Sequence, residues 1–472
     1  MKWTLQQIAD WTKAKVLSSV NVEFNEVGTD SRQDLTGKVF VALKGDNFDA
    51  HDYLNQAVEK GAAALVVHKL KPEFENLKNK VSIILVQDTL RALQDFASGY
   101  RDTLSCTVIG ITGSNGKATT KEFTAAVLNQ FQKTHFSQGS FNNHWGVPLT
   151  LLGISKDTKF AVIEMGMNNY GEIARLVQIA KPDIVVCTMI GTAHIEFFGT
   201  KENIAKSKSE IYMESAENTI RIFNQDQDLT FDMMYPVAKK FPASRMLSFS
   251  QKNNEADVYL KIEELSMREM KISGIIAGVR GEARIAVFGR QNLTNLMATA
   301  SIAYACKMPP EEIWKALPAC KTSWGRNQFI ATESGAEILF DGYNANPDSM
   351  RALLENVSLL KVSGKKIGIF GEMKEQGAAA PEVHREIGQL AGTVGLAQIY
   401  FVGEDCKYFD EGLSSAGYSG ERFVAQDVTQ EMLAYLSQTV NGGDIVLIKG
   451  SRGARTERFI PACRPINWAG KV

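Results

Sequence analysis

Apolar runs of strand length alternate with longer amphipathic stretches through most of this chain, and this alternation limits its fold more than any other feature. The runs CTVIGIT, FAVIEMG and DIVVCTMI begin at Cys106, Phe160 and Asp183, and segments with helical periodicity separate them. The same pattern resumes at Glu337 and continues to a run that begins at Asp444. Continuous apolar strands joined by helices are typical of parallel sheets with helices on both faces. The sequence therefore predicts an α/β fold.

The chain length predicts more than one domain. Its 472 residues exceed what one hydrophobic core holds, and about 150 residues per domain gives roughly three domains. We expect a small α/β domain over residues 1–104, a middle domain over 105–323 and a third α/β domain over 324–472. Residues 258–287 alternate with period two and contain glycine turns, which predicts antiparallel hairpins attached to the middle domain.

Composition argues against several classes of function. Lys and Arg number 52 against 53 Asp and Glu, so the chain has no general positive field that would bind nucleic acid or an anionic membrane. No apolar run approaches the ~18 residues of a membrane span, and the first residues lack the apolar core of a signal peptide. The six cysteines are far apart, which favours buried thiols over a zinc or redox site. We expect a cytoplasmic protein that is a monomer.

A glycine-rich turn, TGSNGKATT over residues 112–120, follows a predicted strand and opens a helix. Backbone N–H groups and the helix macrodipole converge on a phosphate in that arrangement, so we expect a middle domain of the P-loop ATPase type. Gly113 and Gly116 let the loop curl around oxyanions, and the Lys117 ammonium would meet the β- and γ-phosphates. However, Ile111 stands where a P-loop has its first glycine, and an ordinary strand-to-helix turn remains the alternative.

Ala118 stands where a P-loop places the Ser or Thr hydroxyl that binds magnesium. Mg²⁺ keeps several waters in most protein sites, so a water can fill this ligand position. The loss of one such contact costs roughly 10- to 100-fold in affinity or activity. We therefore expect an enzyme that works with a raised magnesium requirement.

Short motifs follow one another along nearly the whole chain. They include TDSR at 29–32, FNNHWGVPLTLL at 141–152, IEMGMNNYGEI at 163–173, GTAHIEFFGT at 191–200, IAKSKSEI at 204–211, DGYNANPDSM at 341–350, GEMKEQG at 371–377 and KGSRG at 449–453. In this order they resemble the motifs of the Mur ligases of peptidoglycan synthesis. The resemblance implies an ATP-dependent amide ligase whose third domain is Rossmann-like. Two of the strings, FNNHWGVPLTLL and YNANPDSM, resemble the members that add D-alanyl-D-alanine to UDP-N-acetylmuramoyl-tripeptide through an acyl phosphate.

Glu164 and His194 follow two predicted strands of the middle domain. Side chains at the carboxyl ends of neighbouring parallel strands meet at one edge of the sheet, so these two can face one ligand. Taken alone, His194 is more often a structural histidine and Glu164 a solvated loop residue. Lys206 and Lys208 on the next predicted helix fit a solvated basic face equally well.

The resemblance assigns roles to these and other residues. It implies a carbamate on Lys208, formed with CO₂, that holds two Mg²⁺ ions together with Glu164 and His194. That modification requires a neutral lysine, which burial favours by lowering the pKa of the amine. The implied catalytic residues are Lys117, Glu164, His194 and Lys208. The implied ATP-binding residues are Gly113, Ser114, Asn115, Gly116, Lys117, Thr119, Asn292, Asn295, Arg326 and Asp341. The implied substrate-binding residues are Ser31, Arg32, Asn142, Asn143, Asn344 and Asn346.

Several of these residues also fit plainer roles. Asn292 and Asn295 fit helix caps, and Ser31 and Arg32 fit a surface turn. Three residues differ from those of many relatives: Gln291 in place of His, Phe340 in place of a second Asp, and Ala50 in place of Gly. The contacts to the base and the ribose are therefore the least defined part of the predicted site.

Two other functions remain open at this point. One is a different amide ligase of the same superfamily, either another Mur step or a folylpolyglutamate synthase-like enzyme. The other is a nucleotide-binding regulator that has lost catalysis, because Ala118 weakens the P-loop. We favour the ligase because Glu164, His194 and Lys208 are all present, and a regulator has no physical need for them.

Overall fold

The computed structural model describes residues 3–45, 47–358, 360–468 and 470. Within these residues the strands form four sheets, of two, five, nine and six strands. The three larger sheets follow one another along the chain, and helices lie between their strands. The predicted α/β fold is therefore confirmed.

The first unit is built on the five-stranded sheet. Its elements are β1 (Trp3–Thr4), α1 (Leu5–Thr12), β2 (Lys15–Ser18), β3 (Glu23–Phe24), β4 (Val27–Gly28), β5 (Val39–Val41), α2 (Leu54–Glu59), β6 (Ala64–Val67), β7 (Ser82–Leu85) and α3 (Thr89–Asp102). The sheet order is β2-β7-β6-β5-β4, with β2 antiparallel to β7 and the other pairs parallel. Thr4 and Gln7 form a capping box at the start of α1, and the Asp88 carboxylate accepts from the Arg91 N–H at the start of α3.

Helix α3 joins the first unit to the next one. The Tyr100 hydroxyl donates to the Ile154 carbonyl at 2.7 Å, and the Arg101 guanidinium donates to the Ala180 carbonyl at 3.0 Å. Trp3 packs edge-on against Phe96 and Tyr100 in a buried cluster that continues into the middle of the chain. The first hundred residues therefore share a hydrophobic core with the unit that follows.

The middle unit contains the nine-stranded sheet. Its elements are β8 (Thr107–Thr112), α4 (Lys117–Asn129), β9 (Thr134–Phe136), α5 (Gly146–Leu152), β10 (Phe160–Glu164), α6 (Glu172–Ala180), β11 (Ile184–Cys187), α7 (Ile195–Phe198), α8 (Lys201–Met213), β12 (Ile220–Asn224), α9 (Asp228–Phe231), α10 (Met234–Lys240), β13 (Met246–Ser250), β14 (Val258–Leu265), β15 (Met270–Ile276), β16 (Val279–Ile285), α11 (Asn292–Ala305) and α12 (Pro310–Ala316). The order is β16-β15-β14-β13-β12-β11-β8-β10-β9. Strands β8 to β14 are parallel, whereas β14, β15 and β16 form an antiparallel meander, which confirms the predicted hairpins.

Both faces of the sheet are buried at its central strands β8, β10 and β11. Ile109 belongs to the core that contains the apolar side chains of α4 and α11, and its neighbour Val108 belongs to the core that contains those of α5, α6 and α8. This two-sided burial explains why β8 is apolar at nearly every position. In the sheet register Glu164 lies opposite Ile111, and Cys187 lies opposite Thr112. The loops after β8, β10 and β11 therefore leave the sheet at the same edge.

The third unit contains the six-stranded sheet. Its elements are β17 (Gln328–Ala331), β18 (Glu337–Asp341), α13 (Pro347–Ser358), β19 (Lys366–Gly371), α14 (Ala380–Thr393), β20 (Gln398–Val402), α15 (Cys406–Ser415), β21 (Glu421–Ala425), α16 (Gln430–Thr439) and β22 (Ile445–Lys449). The order is β17-β18-β22-β19-β20-β21, and only the edge strand β17 is antiparallel among these described strands. Asp341 and Lys449 are paired at the carboxyl ends of β18 and β22.

The third unit is docked on the loop edge of the middle sheet. Asn115 and Asn346 exchange side-chain hydrogen bonds of 3.3 and 2.7 Å between the two units. The Asp348 carboxylate accepts from the Thr192 N–H at 2.6 Å and from its hydroxyl at 2.9 Å. The expected limits at 104/105 and 323/324 fall between the sheets, and we propose them as domain limits.

Within the described parts of the chain, we find no helix with the length and apolar character that crossing a bilayer requires.

Candidate active site

Two glycines allow the loop between β8 and α4 to approach its neighbours closely. Gly113 and Gly116 have φ angles of +145° and +83°. A Cβ at Gly113 would overlap the Thr188 hydroxyl, and a Cβ at Gly116 would overlap the side-chain oxygen of Asn295. Helix α4 begins at Lys117, so the first N–H groups of this helix are left without intrahelical partners. The loop has the form that the sequence predicts for a phosphate cradle.

Lys117 places a half-buried lysine side chain in this loop. Its ammonium donates to the carbonyls of Gly113 at 2.8 Å and Ser114 at 3.4 Å. Burial lowers the pKa of Lys117, and the nearby Glu164 carboxylate opposes that change. The ammonium therefore donates hydrogen bonds to the same loop that is predicted to bind a phosphate.

The loop opens into a cleft of about 370 Å³ between the middle and third units. The cleft brings together most of the residues predicted from the sequence. From the middle unit come Ser114, Asn115, Gly116, Lys117, Thr119, Asn142, Glu164, His194, Asn292 and Asn295, and from the third unit come Arg326, Asp341, Asn344 and Asn346. Residues that are distant in sequence thus line one cleft beside the predicted phosphate loop.

Glu164 is a buried carboxylate with one oxygen engaged and the other without a hydrogen-bond partner. Its Oε1 accepts from the Asn142 amide at 2.8 Å, and its Oε2 lies 3.6 Å from the Lys121 ammonium. Lys121 is itself fully buried and donates to the Gly139 carbonyl at 2.7 Å. A buried carboxylate is costly unless it is paired, so the contacts with Asn142 and Lys121 hold Glu164 in this position. We infer that role for Lys121, which the sequence analysis does not identify.

His194 stands at the start of α7 with a left-handed backbone, φ +68°. Its Nδ1 lies 2.7 Å from Oε2 of Glu375, which belongs to the loop after β19 in the third unit. The contact with His194 lowers the pKa of the Glu375 carboxyl. His194 lines the cleft, whereas Glu375 contacts the His194 ring and does not line the cleft.

Lys208 is completely buried, and its Nζ has no hydrogen-bond partner in the structure. Burial, with a smaller contribution from the Lys117 charge, lowers the pKa of Lys208 to about 7. Lys206, two residues earlier, is exposed. The alternative of a solvated basic face therefore applies to Lys206 and not to Lys208. Lys208 is not among the residues that line the cleft.

Asn292 and Asn295, two of the predicted ATP-binding residues, form a small buried hydrogen-bond network on α11. The side-chain amide of Asn295 donates to Oδ1 of Asn292 at 3.0 Å, and Oδ1 of Asn295 accepts from the Thr120 hydroxyl at 3.2 Å. The Asn292 amide donates to the Phe288 carbonyl at 2.7 Å. Each of these side-chain amides thus forms hydrogen bonds within the protein, and both residues also line the cleft.

The third unit contributes charge to the cleft. The Arg326 guanidinium lies over the Tyr343 ring, 4.3 Å from its centre. The Asp341 carboxylate accepts from the Lys449 ammonium at 2.5 Å and from the Asn327 N–H at 3.2 Å. Lys449 is 2% exposed and lines the cleft, so it is a further cation that the sequence analysis leaves without a role.

Phe340, the position where many relatives carry a second Asp, is buried. Its ring packs edge-on against Trp324 and Trp468, with centre distances of 5.3 and 5.6 Å. Gln291, by contrast, lines the cleft and accepts from the Asn356 amide at 2.9 Å. Of the two differences near the nucleotide, the one at Gln291 therefore bears directly on the cleft.

Besides Gly113 and Lys208, three predicted residues do not line the cleft. Ser31 and Arg32 line a separate cavity of about 520 Å³ in the first unit. Ser31 donates to Gln56 at 2.8 Å, and Arg32 holds both carboxylate oxygens of Asp30 at 2.9 and 2.8 Å. The Asn143 side chain accepts from the Gly146 N–H at 2.9 Å at the start of α5 and does not line the cleft.

The donor groups at this edge suit a hard cation in part. Among the described residues no three His, Cys, Asp or Glu side chains are grouped as metal ligands. The unbonded Glu164 oxygen is nevertheless a suitable ligand for Mg²⁺, which prefers oxygen and needs only one or two carboxylates.

Family comparisons agree with this arrangement. The Mur ligase family catalytic domain model matches residues 23–101, the Mur ligase middle domain model matches 111–303, and the Mur ligase glutamate ligase domain model matches 325–452. The chain belongs to the Mur ligase family. This Mur ligase is 32% identical over 465 residues to the UDP-N-acetylmuramoyl-tripeptide--D-alanyl-D-alanine ligase of Bacillus subtilis, with 98% of each chain covered. It is 30% identical over 461 residues to the enzyme of that name from Escherichia coli, with 97% of this chain and 98% of the relative covered.

Solved structures resemble this Mur ligase over nearly its full length. MurF from Acinetobacter baumannii matches with a TM-score of 0.86 at 28% identity and covers 98% of both chains. MurF from Thermotoga maritima in complex with ADP matches with a TM-score of 0.79 at 27% identity and covers 93% of this chain and 96% of that one. Folylpolyglutamate synthase from Thermotoga maritima shares the fold, with a TM-score of 0.58 at 15% identity.

Proposed function

We propose that this Mur ligase joins D-alanyl-D-alanine to UDP-N-acetylmuramoyl-tripeptide and converts ATP to ADP and phosphate. The observation that carries the proposal is the relationship over 98% of the chain to ligases named for this reaction. The likeness to folylpolyglutamate synthase is one of fold alone. The cleft supports a ligase over a regulator that has lost catalysis, because Lys117 and the buried Glu164 both line it and are held there by hydrogen bonds.

The reaction has two steps. The terminal carboxylate of the tripeptide attacks the γ-phosphorus of ATP, an acyl phosphate forms and ADP leaves. The amine of D-alanyl-D-alanine then attacks the acyl carbon, loses a proton and displaces phosphate. Lys117 and the loop N–H groups would hold the transferred phosphoryl group and offset its growing charge. Arg326 and Lys449 would add positive charge from the third unit.

Glu164, His194 and a carbamate on Lys208 would hold magnesium. Bound Mg²⁺ would neutralise charge on the phosphoryl oxygens. The burial of Lys208 supports carbamate formation, because a pKa of about 7 leaves a substantial neutral fraction of the amine near neutral pH. The neutral amine adds to the carbon of CO₂ and loses a proton, and the new group replaces a cation by an anion. Asn142 and Lys121 would keep Glu164 in place.

The cavity in the first unit would bind the uridine diphosphate. Ser31 and Arg32 line it together with Phe48 and Tyr53, whose rings stack 5.0 Å apart and are 52% and 42% exposed. Arg32 would release Asp30 to meet a diphosphate, and the aromatic pair offers an apolar wall for the base. Substrates of this kind also support the expected cytoplasmic location, and the chain would act as a monomer.

An ADP-release assay tests the proposed function. With ATP and UDP-N-acetylmuramoyl-tripeptide present, we expect D-alanyl-D-alanine to stimulate ADP release, and D-alanine, L-glutamate or L-lysine to have little effect. Preferential stimulation by glutamate with a folate acceptor would assign the chain to the other branch of the superfamily. Nucleotide binding without turnover on any of these acceptors would favour the regulator.

A further inference from the structure

We propose that Glu375 is a positioning residue that fixes the His194 imidazole across the interface between the middle and third units. The proposal rests on the function proposed for His194. It goes further because it makes the orientation of a site residue depend on where the third unit is docked.

The contact between His194 and Glu375 can determine which ring nitrogen of His194 carries the proton. Nδ1 of His194 lies 2.7 Å from the Glu375 carboxylate, but the ring is not aligned for a hydrogen bond, and this buried nitrogen has no hydrogen-bond partner in the structure. The carboxylate is an acceptor within reach of Nδ1, so a rotation of the ring completes the bond. A carboxylate that accepts the proton on Nδ1 fixes the tautomer, so the lone pair of the ring stands on Nε2. His194 lines the cleft and Glu375 does not, so the carboxylate engages the ring without being part of the cleft wall. Nε2 is then the nitrogen that remains for a ligand.

Both residues of the contact, His194 and Glu375, have a left-handed backbone conformation. His194 and Glu375 have φ angles of +68° and +63°, which residues other than glycine rarely adopt. Such conformations persist where the surroundings hold them, and they gather at functional sites. The two loops also meet directly, because the Glu196 N–H donates to the Glu375 carbonyl at 3.4 Å. A Cβ at Gly377, where φ is +53°, would lie 3.1 Å from the Glu196 side chain.

The loop that carries Glu375 is fixed within the third unit. The Met373 N–H donates to the ring of His384 at 2.9 Å, and the Lys374 N–H donates to the Ser451 hydroxyl at 2.9 Å. The Gln376 amide donates back to the Lys374 carbonyl at 2.8 Å. Because these bonds lie inside the third unit, Glu375 moves with that unit. The His194 contact therefore forms when the third unit is docked and breaks when the unit moves away.

Nuclear magnetic resonance of the histidine rings tests the proposal without metal. The protein has six histidines, so selective ¹⁵N labelling gives few signals, and a His194→Gln variant identifies the one that matters. In metal-free wild type we expect the His194 signals of the tautomer with hydrogen on Nδ1. In Glu375→Ala we expect the averaged signals of a ring that exchanges between tautomers. Glu375→Gln should keep the wild-type tautomer, because its amide oxygen can take the place of the carboxylate as the acceptor for Nδ1.

Kinetics give an independent readout. Loss of a residue that orients a metal-site ligand typically costs about 10- to 100-fold. We expect that fall in kcat for Glu375→Ala, a smaller fall for Glu375→Gln, and little change in KM for the UDP substrate, whose predicted cavity is in the first unit. Glu196→Ala is the matched control, since Glu196 is an exposed carboxylate in the same interface. It should behave as wild type.

Two results would overturn the proposal. One is a wild-type His194 tautomer in metal-free Glu375→Ala. The other is an equal loss of kcat in Glu375→Ala and Glu196→Ala, which would show a general effect of charge. If wild type does not use D-alanyl-D-alanine, the proposed function fails, and the tautomer measurement still decides whether Glu375 positions His194.

Discussion

At the residue scale, burial separates Lys208 from every other lysine on its helix. An amine in an apolar interior loses far more solvation free energy when it is charged than when it is neutral, so the folded protein favours its neutral form. Its pKa is about 7 in the folded chain, against an ordinary value of 10.5. Burial of Lys208 therefore lowers the stability of the folded chain. Such a cost is expected for a residue with a functional role.

This environment predicts a pH-dependent stability. Between pH 7 and 10.5 the unfolded chain holds a proton on Lys208 that the folded chain releases, so the stability of the wild type rises with pH through this window. Lys208→Met removes the titrating group and keeps an unbranched side chain. We expect the variant to melt above wild type at pH 7 and below, with the difference shrinking towards pH 9. Calorimetry in CO₂-free buffers measures this difference, and a gap that does not change with pH would contradict the prediction.

Ala118 predicts a magnesium phenotype. It is a buried residue of the cleft wall at the start of α4, where a threonine hydroxyl would face the phosphate site. We expect Ala118→Thr to lower the magnesium concentration for half-maximal activity by roughly 10- to 100-fold. Ala118→Val is the control, because valine has the shape of threonine and no hydroxyl. An equal effect of both substitutions, or none, would show that the missing hydroxyl does not set the magnesium requirement.

The sequence predicts the positions of these residues better than their contacts. Nothing in IAKSKSEI distinguishes the buried Lys208 from the exposed Lys206; only the resemblance selects the former. Lys121 had an available signal, because it lies four residues after Lys117 and thus on the same face of α4. Phe340 carried no such signal, since the aromatic rings that bury it come from residues 324 and 468.

At the element scale, the loop before α4 depends on one close approach to α11. Gly116 and Gly171 both precede helices, with φ angles of +83° and +82°. A Cβ at Gly116 would overlap Asn295, whereas nothing lies within 4 Å of a Cβ at Gly171. Substitutions at these two glycines therefore distinguish the effect of a left-handed backbone from the effect of a steric overlap with Asn295.

This pair predicts different outcomes for the same substitution. Gly171→Ala should cost about 1–2 kcal/mol of stability through the left-handed backbone alone and leave ADP binding unchanged. Gly116→Ala should add a displacement of Asn295 and weaken ADP binding by at least tenfold. Calorimetric titration with ADP measures both. Equal ADP affinity in the two variants would show that the contact with Asn295 does not shape the nucleotide site.

The element order was predictable because each apolar run is long enough to be a buried strand. The runs at Cys106, Phe160 and Asp183 became β8, β10 and β11, and the alternating segment after residue 258 became β14 to β16. The packing of α3 was not predictable. Tyr100 and Arg101 form their bonds with residues that are more than 50 positions away in the sequence, and such partners leave no periodic pattern.

At the scale of the whole molecule, the site is complete only where two units meet. Lys117, Glu164 and His194 come from the middle unit, and Arg326 and Lys449 come from the third. Closure of the two would exclude water and protect the acyl phosphate from hydrolysis. Under the proposed function, the contacts between the units would therefore contribute to catalysis.

Asp348 gives a direct test of this coupling. Its carboxylate accepts two hydrogen bonds from Thr192, and a Cβ on the neighbouring Gly191 would overlap it. A hydrogen bond to a charged group is worth about 1.5–3 kcal/mol, so Asp348→Ala should shift the docking equilibrium by roughly 10- to 100-fold. We expect a larger radius of gyration by small-angle scattering with an ATP analogue and the tripeptide substrate bound, and a lower kcat. Arg351→Ala on the same helix removes an ion pair inside the third unit and should change neither quantity. Wild-type compaction in Asp348→Ala would show that this contact does not hold the units together.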